Sequence, residues 1–166
     1  MTPSRHQYCT IPLTQGQVAT VSEHRYSELA RFKWYAYWNR HTQSFYALRN
    51  IHLGEYRHTT VSMARQILGL TKGDGLKADH EDHDTLNNQD YNLRVATAHQ
   101  NQHNRGPLKG RTYKGVYLRQ DGQKYFAKIT VNRMQIHLGS FGTEVEAYTA
   151  YCKAATLYHG DFARLT

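Results

Sequence analysis

Apolar and polar residues alternate over short stretches of this chain, and that two-residue period is typical of half-buried β-strands. The pattern predicts strands at residues 9–13, 18–21, 34–39, 45–51, 59–62, 76–80, 92–96, 116–119, 125–131 and 135–141. Helices are predicted at 23–31, 63–68 and 98–105 and from Thr143 onward. Ser22 and Thr97 precede two of them as N-caps, and Thr143 and Glu146 have the spacing of a capping box.

The order of these elements predicts an α+β protein made of small modules. Residues 1–70 form a small mixed, strand-rich scaffold, and residues 71–106 follow with the order strand, loop, strand, helix. Residues 107–111 form a linker with no apolar period, and residues 112–166 form a three-stranded antiparallel sheet packed on one helix. A chain of 166 residues with 39% hydrophobic residues suits such modules better than one large core.

Positive charge dominates the composition. Lys and Arg number 21 against 13 Asp and Glu, for a net charge of +8, which is typical of a protein that binds a polyanion. No apolar run approaches the roughly 18 residues that cross a bilayer, and the start of the chain lacks the pattern of a secretory signal. We therefore expect an intracellular protein with no membrane partner, in the cytoplasm of a bacterial or phage-infected cell.

The negative charge is concentrated in one place. Six of the 13 acidic residues fall between positions 74 and 90. A protein that attracts DNA gains nothing from acids on its binding surface unless a cation reverses their sign. This concentration therefore predicts a metal site.

The acidic stretch contains a carboxylate followed directly by a histidine, Asp79-His80, at the end of a predicted strand. Hydrolysis of a phosphodiester needs a base to activate water and a cation to stabilise the developing charge, and these two side chains can supply both functions. Successive strand side chains point to opposite faces, so the strand must end or twist there for both to serve one site. On its own the pair is weak evidence, because most histidines are solvated or structural.

The wider sequence strengthens that evidence. Asp79-His80-Glu81-Asp82 is followed by Asn87-Asn88, then by Asn92-Leu93-Arg94, and then by Asn101 and Asn104. This spacing resembles the HNH endonucleases, in particular their homing branch, almost position by position from Asp79 to Asn104. The resemblance implies that residues 71–106 are a ββα-metal nuclease unit.

The resemblance also implies a role for individual residues. His80 would be the general base, and Asp79 and Asn101 would be the ligands of one divalent cation, Mg²⁺ with Mn²⁺ as an alternative. Asn92 would pin the loop that aims His80. Asn87 and Asn88 could equally shape the turn or touch DNA. One departure is the run Met63-Ala64-Arg65, where family members often carry Met-His-Arg, so one site contact is predicted to be missing.

The C-terminal module is expected to bind DNA. Six basic residues against one acid lie between positions 111 and 133, and the order of motifs from about Thr112 to Leu165 resembles the plant ethylene-response-factor DNA-binding domain. That family reads DNA with its sheet, so the resemblance implies four candidate contacts: Arg119, Lys124, Lys128 and Arg133. Asn104 and Arg105 are added as contacts at the end of the nuclease unit.

Together these features predict a site-directed, double-stranded DNA endonuclease of the homing type. One metal site per chain hydrolyses one strand at a time, which favours nicking. A non-cleaving, sequence-specific DNA-binding protein with a decayed site is the alternative, favoured by Ala64. An RNA-binding protein that uses its 13 tyrosines is a third. No protein partner is implied, and the sequence does not distinguish a monomer from a dimer.

Overall fold

The computed structural model describes residues 7–54, 57–104, 106–107 and 110–165, apart from the side chains of Gln102 and His103. It divides into two compact units, residues 1–98 and 99–166. The four predicted sections of the chain stay a prediction, since the division into two units does not test them.

The described residues of unit 1 form three small sheets and two short helices. Its elements are β1 (Tyr8–Pro12), β2 (Val18–Ser22), α1 (Glu23–Leu29), β3 (Tyr35–Asn39), β4 (Ser44–His52), β5 (His58–Ser62), α2 (Met63–Ile67), β6 (Leu76–His80), β7 (Asn87–Asn88) and β8 (Leu93–Thr97). The sheets have the orders β1-β2-β7, β3-β4-β5 and β6-β8. All of these pairs are antiparallel except β2 with β7, which is parallel.

The core of unit 1 lies between these sheets and α2. Leu29, Trp34 and Met63 are among its buried side chains, and the indole Nε1 of Trp34 donates to the carbonyl of Leu29 at 2.9 Å. Ala64 is buried in the same core. Position 64, where the family often has histidine, is therefore occupied here by a small side chain in apolar packing.

Unit 2 is a three-stranded antiparallel sheet covered on one face by a helix. Its elements are α3 (Ala98–His103), which begins at the boundary, β9 (Val116–Leu118), β10 (Tyr125–Val131), β11 (Met134–Phe141) and α4 (Glu144–His159). The sheet has the order β11-β10-β9. Small side chains of α4, including Ala147 and Ala155, pack on Ala127 and Ile129 of β10, and Thr143 and Glu146 form the predicted capping box.

Gly115, just before β9, is fixed by close packing. Its φ of +73° is in the left-handed region, and a Cβ there would lie 2.1 Å from the ring of Tyr151 and 2.8 Å from the carbonyl oxygen of Lys128. Only glycine fits without displacing α4 or β10. The residue therefore sets how closely the chain passes over the buried tyrosine.

The structure confirms the α+β class and most of the predicted elements, with strand ends within two residues. Two local features differ from the prediction. The segment predicted as a plain loop holds the strand β7 and a 3-10 turn at Asp90–Asn92. Ser22 occupies the N-cap position of α1, yet its hydroxyl makes no cap bond and instead accepts from the backbone N–H of Asp90 at 2.9 Å. Among the described residues, no helix combines the length and apolar character that a bilayer crossing requires.

Candidate active site

The two residues of the Asp-His pair are the last two of β6. Asp79 lies opposite Arg94 and His80 opposite Leu93 on β8. Both side chains are buried, with exposures of 5% and 7%. The strand thus ends at the histidine, as predicted, and the two side chains engage different neighbours.

Asp79 forms an ion pair with its cross-strand partner. Its Oδ2 accepts from Nε of Arg94 at 2.8 Å, between side chains that are both largely shielded from water. The pair holds the carboxylate in one orientation at the strand end. A buried, fixed carboxylate oxygen is a donor that suits a hard divalent cation such as Mg²⁺ or Mn²⁺, so the side chain fits its predicted part.

Within the described part of the chain, no three His, Cys, Asp or Glu side chains come together to hold a metal ion. The predicted ligand set is of a different kind, one carboxylate and one carboxamide. It stays a prediction.

His80 is held by an asparagine of the loop. Its Nε2 lies 3.3 Å from Oδ1 of Asn88, and Nδ2 of Asn88 donates to the carbonyl of Leu86 at 3.1 Å. Asn88 is only 1% exposed, and it pairs with Val21 of β2. Burial lowers the pKa of His80 below its ordinary value, against smaller raising effects of the Asn88 bond and the nearby carboxylates.

Asn92 ties the two ends of the loop together. Its side chain is 2% exposed; Oδ1 accepts from the N–H of Asp82 at 2.9 Å and Nδ2 donates to the carbonyl of Asn87 at 2.8 Å. Its own carbonyl accepts from the N–H of Glu81 at 2.9 Å. One residue therefore satisfies three backbone groups of the segment that follows His80.

The side chains of the loop bond mainly to each other. Oδ2 of Asp82 accepts from Nδ2 of Asn87 at 2.6 Å, and Oδ1 of Asn87 accepts from Nε2 of Gln89 at 2.9 Å. Asn87 and Asn88 are both buried. Of the two readings left open for these asparagines, the structure favours shaping of the turn over contact with DNA.

The loop is also anchored to the N-terminal scaffold. Oδ1 of Asp90 accepts from Nε and Nη2 of Arg25 on α1, at 3.1 and 2.8 Å. Burial raises the pKa of Asp90, but the bonds from Arg25 and Ser22 outweigh it, and the pKa is lowered overall. The hydroxyl of Thr85 donates to the carbonyl of Phe45 on β4. Residues 1–70 thus hold the loop that holds His80.

The remaining predicted residues of the nuclease unit fall at its end. Asn101 is half-buried on α3, and Asn104 is buried just after it. The unit boundary falls between Ala98 and His99, so Asn101 belongs to unit 2 while Asp79 and His80 belong to unit 1. That Asn101 shares a cation with Asp79 stays a prediction. Arg105 lies outside the described residues.

The predicted DNA contacts of unit 2 are not all equivalent. Arg119 is exposed and lies 3.4 Å from a carboxylate oxygen of Asp121, a surface pair of small energetic weight. Lys124 and Arg133 are exposed, and Arg133 has a φ of +67° in the turn before β11. Lys128 donates from Nζ to Oε1 of Gln135 at 3.1 Å.

Sequence reasoning missed an aromatic row on the sheet of unit 2. Tyr117 stacks on Phe126 with ring centres 5.1 Å apart, and Phe126 stacks on His137 at 6.0 Å. The guanidinium of Arg111 lies 4.0 Å from the centre of the Tyr117 ring, and the ammonium of Lys128 lies 4.6 Å from it. The signal was available as alternating positions on neighbouring strands, but it depends on register.

Two other residues were also missed, Asn88 as the partner of His80 and Arg94 as the partner of Asp79. Arg94 could have been found, because a residue that faces an aspartate across an antiparallel pair is a natural ion partner. Asn88 could not, since its bond depends on the path of the loop.

Comparison with known proteins indicates the family of the chain. No protein-family model matches the chain. A relative from Acanthamoeba polyphaga mimivirus, named as an uncharacterized HNH endonuclease, is 30% identical over 149 residues, covering 90% of this chain and 74% of its own length. With a buried Asp-His pair at a strand end, a loop tied by asparagines and this relative, the chain belongs to the HNH endonuclease family.

Proposed function

We propose that this chain is a metal-dependent DNA endonuclease of the homing type, which nicks double-stranded DNA at a directed site. The observation that carries the proposal is His80, which is buried beside a fixed carboxylate and has a pKa lowered by burial. A histidine that stays neutral at neutral pH can act as a general base. The relative from mimivirus, named as an endonuclease, supports the same reaction class.

The bond to Asn88 supports Nδ1 as the ring nitrogen of His80 that acts as base. Because Nδ2 of Asn88 donates to Leu86, its Oδ1 faces the imidazole and can only accept. Nε2 of His80 therefore carries the proton, and Nδ1 holds the lone pair. In the proposed reaction, Nδ1 takes a proton from a water molecule, whose oxygen forms a bond to phosphorus as the opposite P–O bond breaks.

Asp79 and Asn101 would hold one divalent cation, Mg²⁺ or Mn²⁺, with Arg94 fixing the carboxylate of Asp79. When bound, such a cation stabilises the negative charge of the pentacovalent phosphate and of the leaving oxygen. The side chain of Asn92 bonds to backbone groups of Asp82 and Asn87 and so holds the loop in one conformation. This loop in turn keeps the orientation of His80.

The sheet of unit 2 would hold the duplex. Arg119, Lys124, Lys128 and Arg133 supply positive charge, and Lys128 lies beside the aromatic row of Tyr117. Aromatic rings with cations between them suit contact with sugars and bases, and the basic side chains suit phosphates. The likeness of this module to the ethylene-response-factor domain supports the same role. Asn104 and Arg105 are proposed as further contacts.

A plasmid assay tests the proposal. Supercoiled DNA carrying candidate sites is incubated with the protein in Mg²⁺, in Mn²⁺ and in EDTA. We expect open-circular product with either cation, none in EDTA, and a rate reduced at least a hundredfold in His80→Ala, since general base catalysis contributes roughly 10²–10⁴-fold. His41→Ala removes an exposed histidine of the β3–β4 turn and should cleave at the normal rate.

The outcomes separate the candidate functions. Equal cleavage by His80→Ala and the parent protein refutes the assignment of the base. Tight, sequence-specific binding of duplex DNA without cleavage in any cation supports the non-cleaving alternative. Linear product at the earliest times, before open-circular product, refutes nicking.

A further inference from the structure

A pocket of about 370 Å³ opens on unit 1 beside the β3–β4 hairpin, apart from the residues of the candidate active site. Arg49 on β4 and the segment Phe32–Trp34 line it, together with Thr14, Asn50 and His52. Among the residues that the structure describes, no carboxylate lines this pocket. Its chemistry is therefore that of a site for an anion.

The guanidinium of Arg49 is held in place before any ligand arrives. It lies over Phe32, with Cζ 3.9 Å from the centre of that ring and 5.7 Å from the centre of the Trp34 ring. Nε donates to Oε1 of Gln66 on α2 at 2.8 Å. Stacking and this single bond fix the fork, and within the described residues no carboxylate pairs with its two Nη groups. An Arg fixed in this way loses little entropy on binding.

The neutral groups of the pocket also present donors. Oγ1 of Thr14 accepts from the N–H of Ala36 at 3.0 Å, which leaves its hydroxyl hydrogen to donate elsewhere. Oδ1 of Asn50 accepts from the hydroxyl of Tyr35 at 3.4 Å, which leaves its two amide hydrogens. These two acceptors are thus engaged by the protein, while the hydroxyl hydrogen of Thr14 and the amide hydrogens of Asn50 remain as donors.

We propose that this pocket binds a backbone phosphate of the DNA on which the enzyme acts, with Arg49 as its bidentate contact and Lys33 and His52 beside it. The inference rests on the proposed nuclease function. A planar guanidinium fork matches two phosphate oxygens, and a protein of net charge +8 draws DNA to such a site.

The pocket and the loop after His80 are both attached to β4. The carbonyl of Phe45 on β4 accepts from Thr85 in the loop after His80. Arg49 lies four residues further along the same strand, about 13 Å at the rise of a β-strand. Along β4, Arg49 is thus separated from the residue that anchors the loop by roughly four phosphate spacings of one DNA strand.

The helix α2 connects the pocket to the strand that carries the base. Gln66 of α2 holds Arg49, while the neighbouring Arg65 donates from Nη1 to the carbonyl of Leu76, the first residue of β6. A phosphate held at Arg49 would therefore be fixed to the same helix that positions β6 and, at its end, His80.

The test is the salt dependence of DNA binding in EDTA, where no cleavage occurs. A labelled duplex is titrated with the full chain and with Arg49→Ala, Arg49→Lys and Lys33→Ala at several salt concentrations. Arg31→Ala is the matched control. Arg31 is exposed and directly precedes the segment Phe32–Trp34, but it does not line the pocket. Each lost phosphate contact should lower the slope of log K against log salt by about one.

We expect Arg49→Ala to bind about tenfold more weakly at physiological salt, with its slope lower by about one. Arg49→Lys should keep most of the slope and lose affinity, because the charge remains and the fork is gone. Lys33→Ala, an exposed residue whose loss does not threaten folding, should also lower the slope, and Arg31→Ala should not.

Three results would overturn the proposal. The first is an unchanged slope in folded Arg49→Ala and in Lys33→Ala, and the second is an equal change in Arg31→Ala. The third is saturable binding of inorganic phosphate, seen at the Arg49 Nε–H resonance, with no effect of either substitution on DNA. A parent chain that nicks plasmid but shows one of these results keeps its nuclease assignment. If the parent chain does not bind duplex DNA at any salt concentration, the pocket proposal is refuted. The plasmid cleavage assay then decides separately whether the nuclease function stands.

Discussion

The side-chain amide of Asn92 bonds to two backbone groups of the loop after His80. Replacement by alanine removes the acceptor of the Asp82 N–H and the donor to the Asn87 carbonyl, bonds of 2.9 and 2.8 Å. The side chain is 2% exposed, so water does not readily replace it inside the unit. The substitution therefore tests whether the loop is held by this amide.

The expected loss follows from those two bonds. A buried backbone group left without its partner costs about 1–3 kcal/mol. The bond to Asn87 is buried and should contribute the upper part of that range, whereas the bond to Asp82 is only partly buried and should contribute the lower part. We expect Asn92→Ala to lower the free energy of unfolding by about 3 kcal/mol, a large share of the roughly 5–15 kcal/mol of a typical domain.

Tryptophan fluorescence during urea unfolding measures this loss for unit 1 alone. The chain has two tryptophans, Trp34 and Trp38, and both lie in unit 1. With a urea dependence of about 1–3 kcal/mol per M, the midpoint should fall by roughly 1–3 M. The cleavage rate without urea, where the variant is still folded, then reports on the aim of His80.

Asn50→Ala is the matched control, because that asparagine is exposed and its change should stay within about 0.5 kcal/mol. If Asn92→Ala loses less than about 1 kcal/mol, or no more than the control, the amide does not hold the loop. The argument for its positioning role would then fail.

Gly115→Ala should destabilise unit 2 by at least about 2 kcal/mol, because residue 115 has a left-handed backbone and the new methyl would clash with the ring of Tyr151. Near-ultraviolet circular dichroism of the tyrosines during thermal unfolding measures this change. An unchanged unfolding midpoint would contradict the packing. Nitrogen NMR of the metal-free protein should show the proton of His80 on Nε2, and Asn88→Leu should shift the ring toward a mixture of tautomers; a proton on Nδ1 in the parent would contradict the proposed base. The pKa of His80 is lowered on folding, so below about pH 6.5 the unfolded chain binds a proton that the folded chain does not. The free energy of unfolding is therefore highest above that pH and falls as the pH drops toward the folded pKa. Measured by tryptophan fluorescence, the decrease in this free energy between pH 7.5 and about 5.5 should be smaller in His80→Gln than in the parent chain.

Much of the fold could be predicted because its signals are local. Strand β6 was predicted with its observed bounds, and the capping box of α4 was read from Thr143 and Glu146. The two-residue strand β7 was missed because asparagine has low strand propensity and its pairing is with β2, far away in the chain. Ser22 was predicted from its neighbours as a cap, and a distant partner, Asp90, took its hydroxyl instead.

In the candidate site, too, the local motif could be predicted and the contacts with distant residues could not. Asp79 and His80 stood out as a motif, and the motif led to the correct family. The partners that orient them, Arg94 and Asn88, depend on strand register and on the path of the loop. The fixed fork of Arg49 needs Phe32 to fold under it and Gln66 to approach from another element, which no local pattern encodes.

The parallel pairing of β7 with β2 has a consequence for the order of events during synthesis. Ser22 and Asp90, which are bonded at this junction, lie 68 positions apart in the chain. Contacts between such distant segments form slowly, because a long loop must close first. A nascent chain that has just produced His80 lacks Asn88 and Asn92, and so lacks the bonds that orient the imidazole. The orientation of His80 would thus be acquired late, when β2 and the loop through Asn92 are both available.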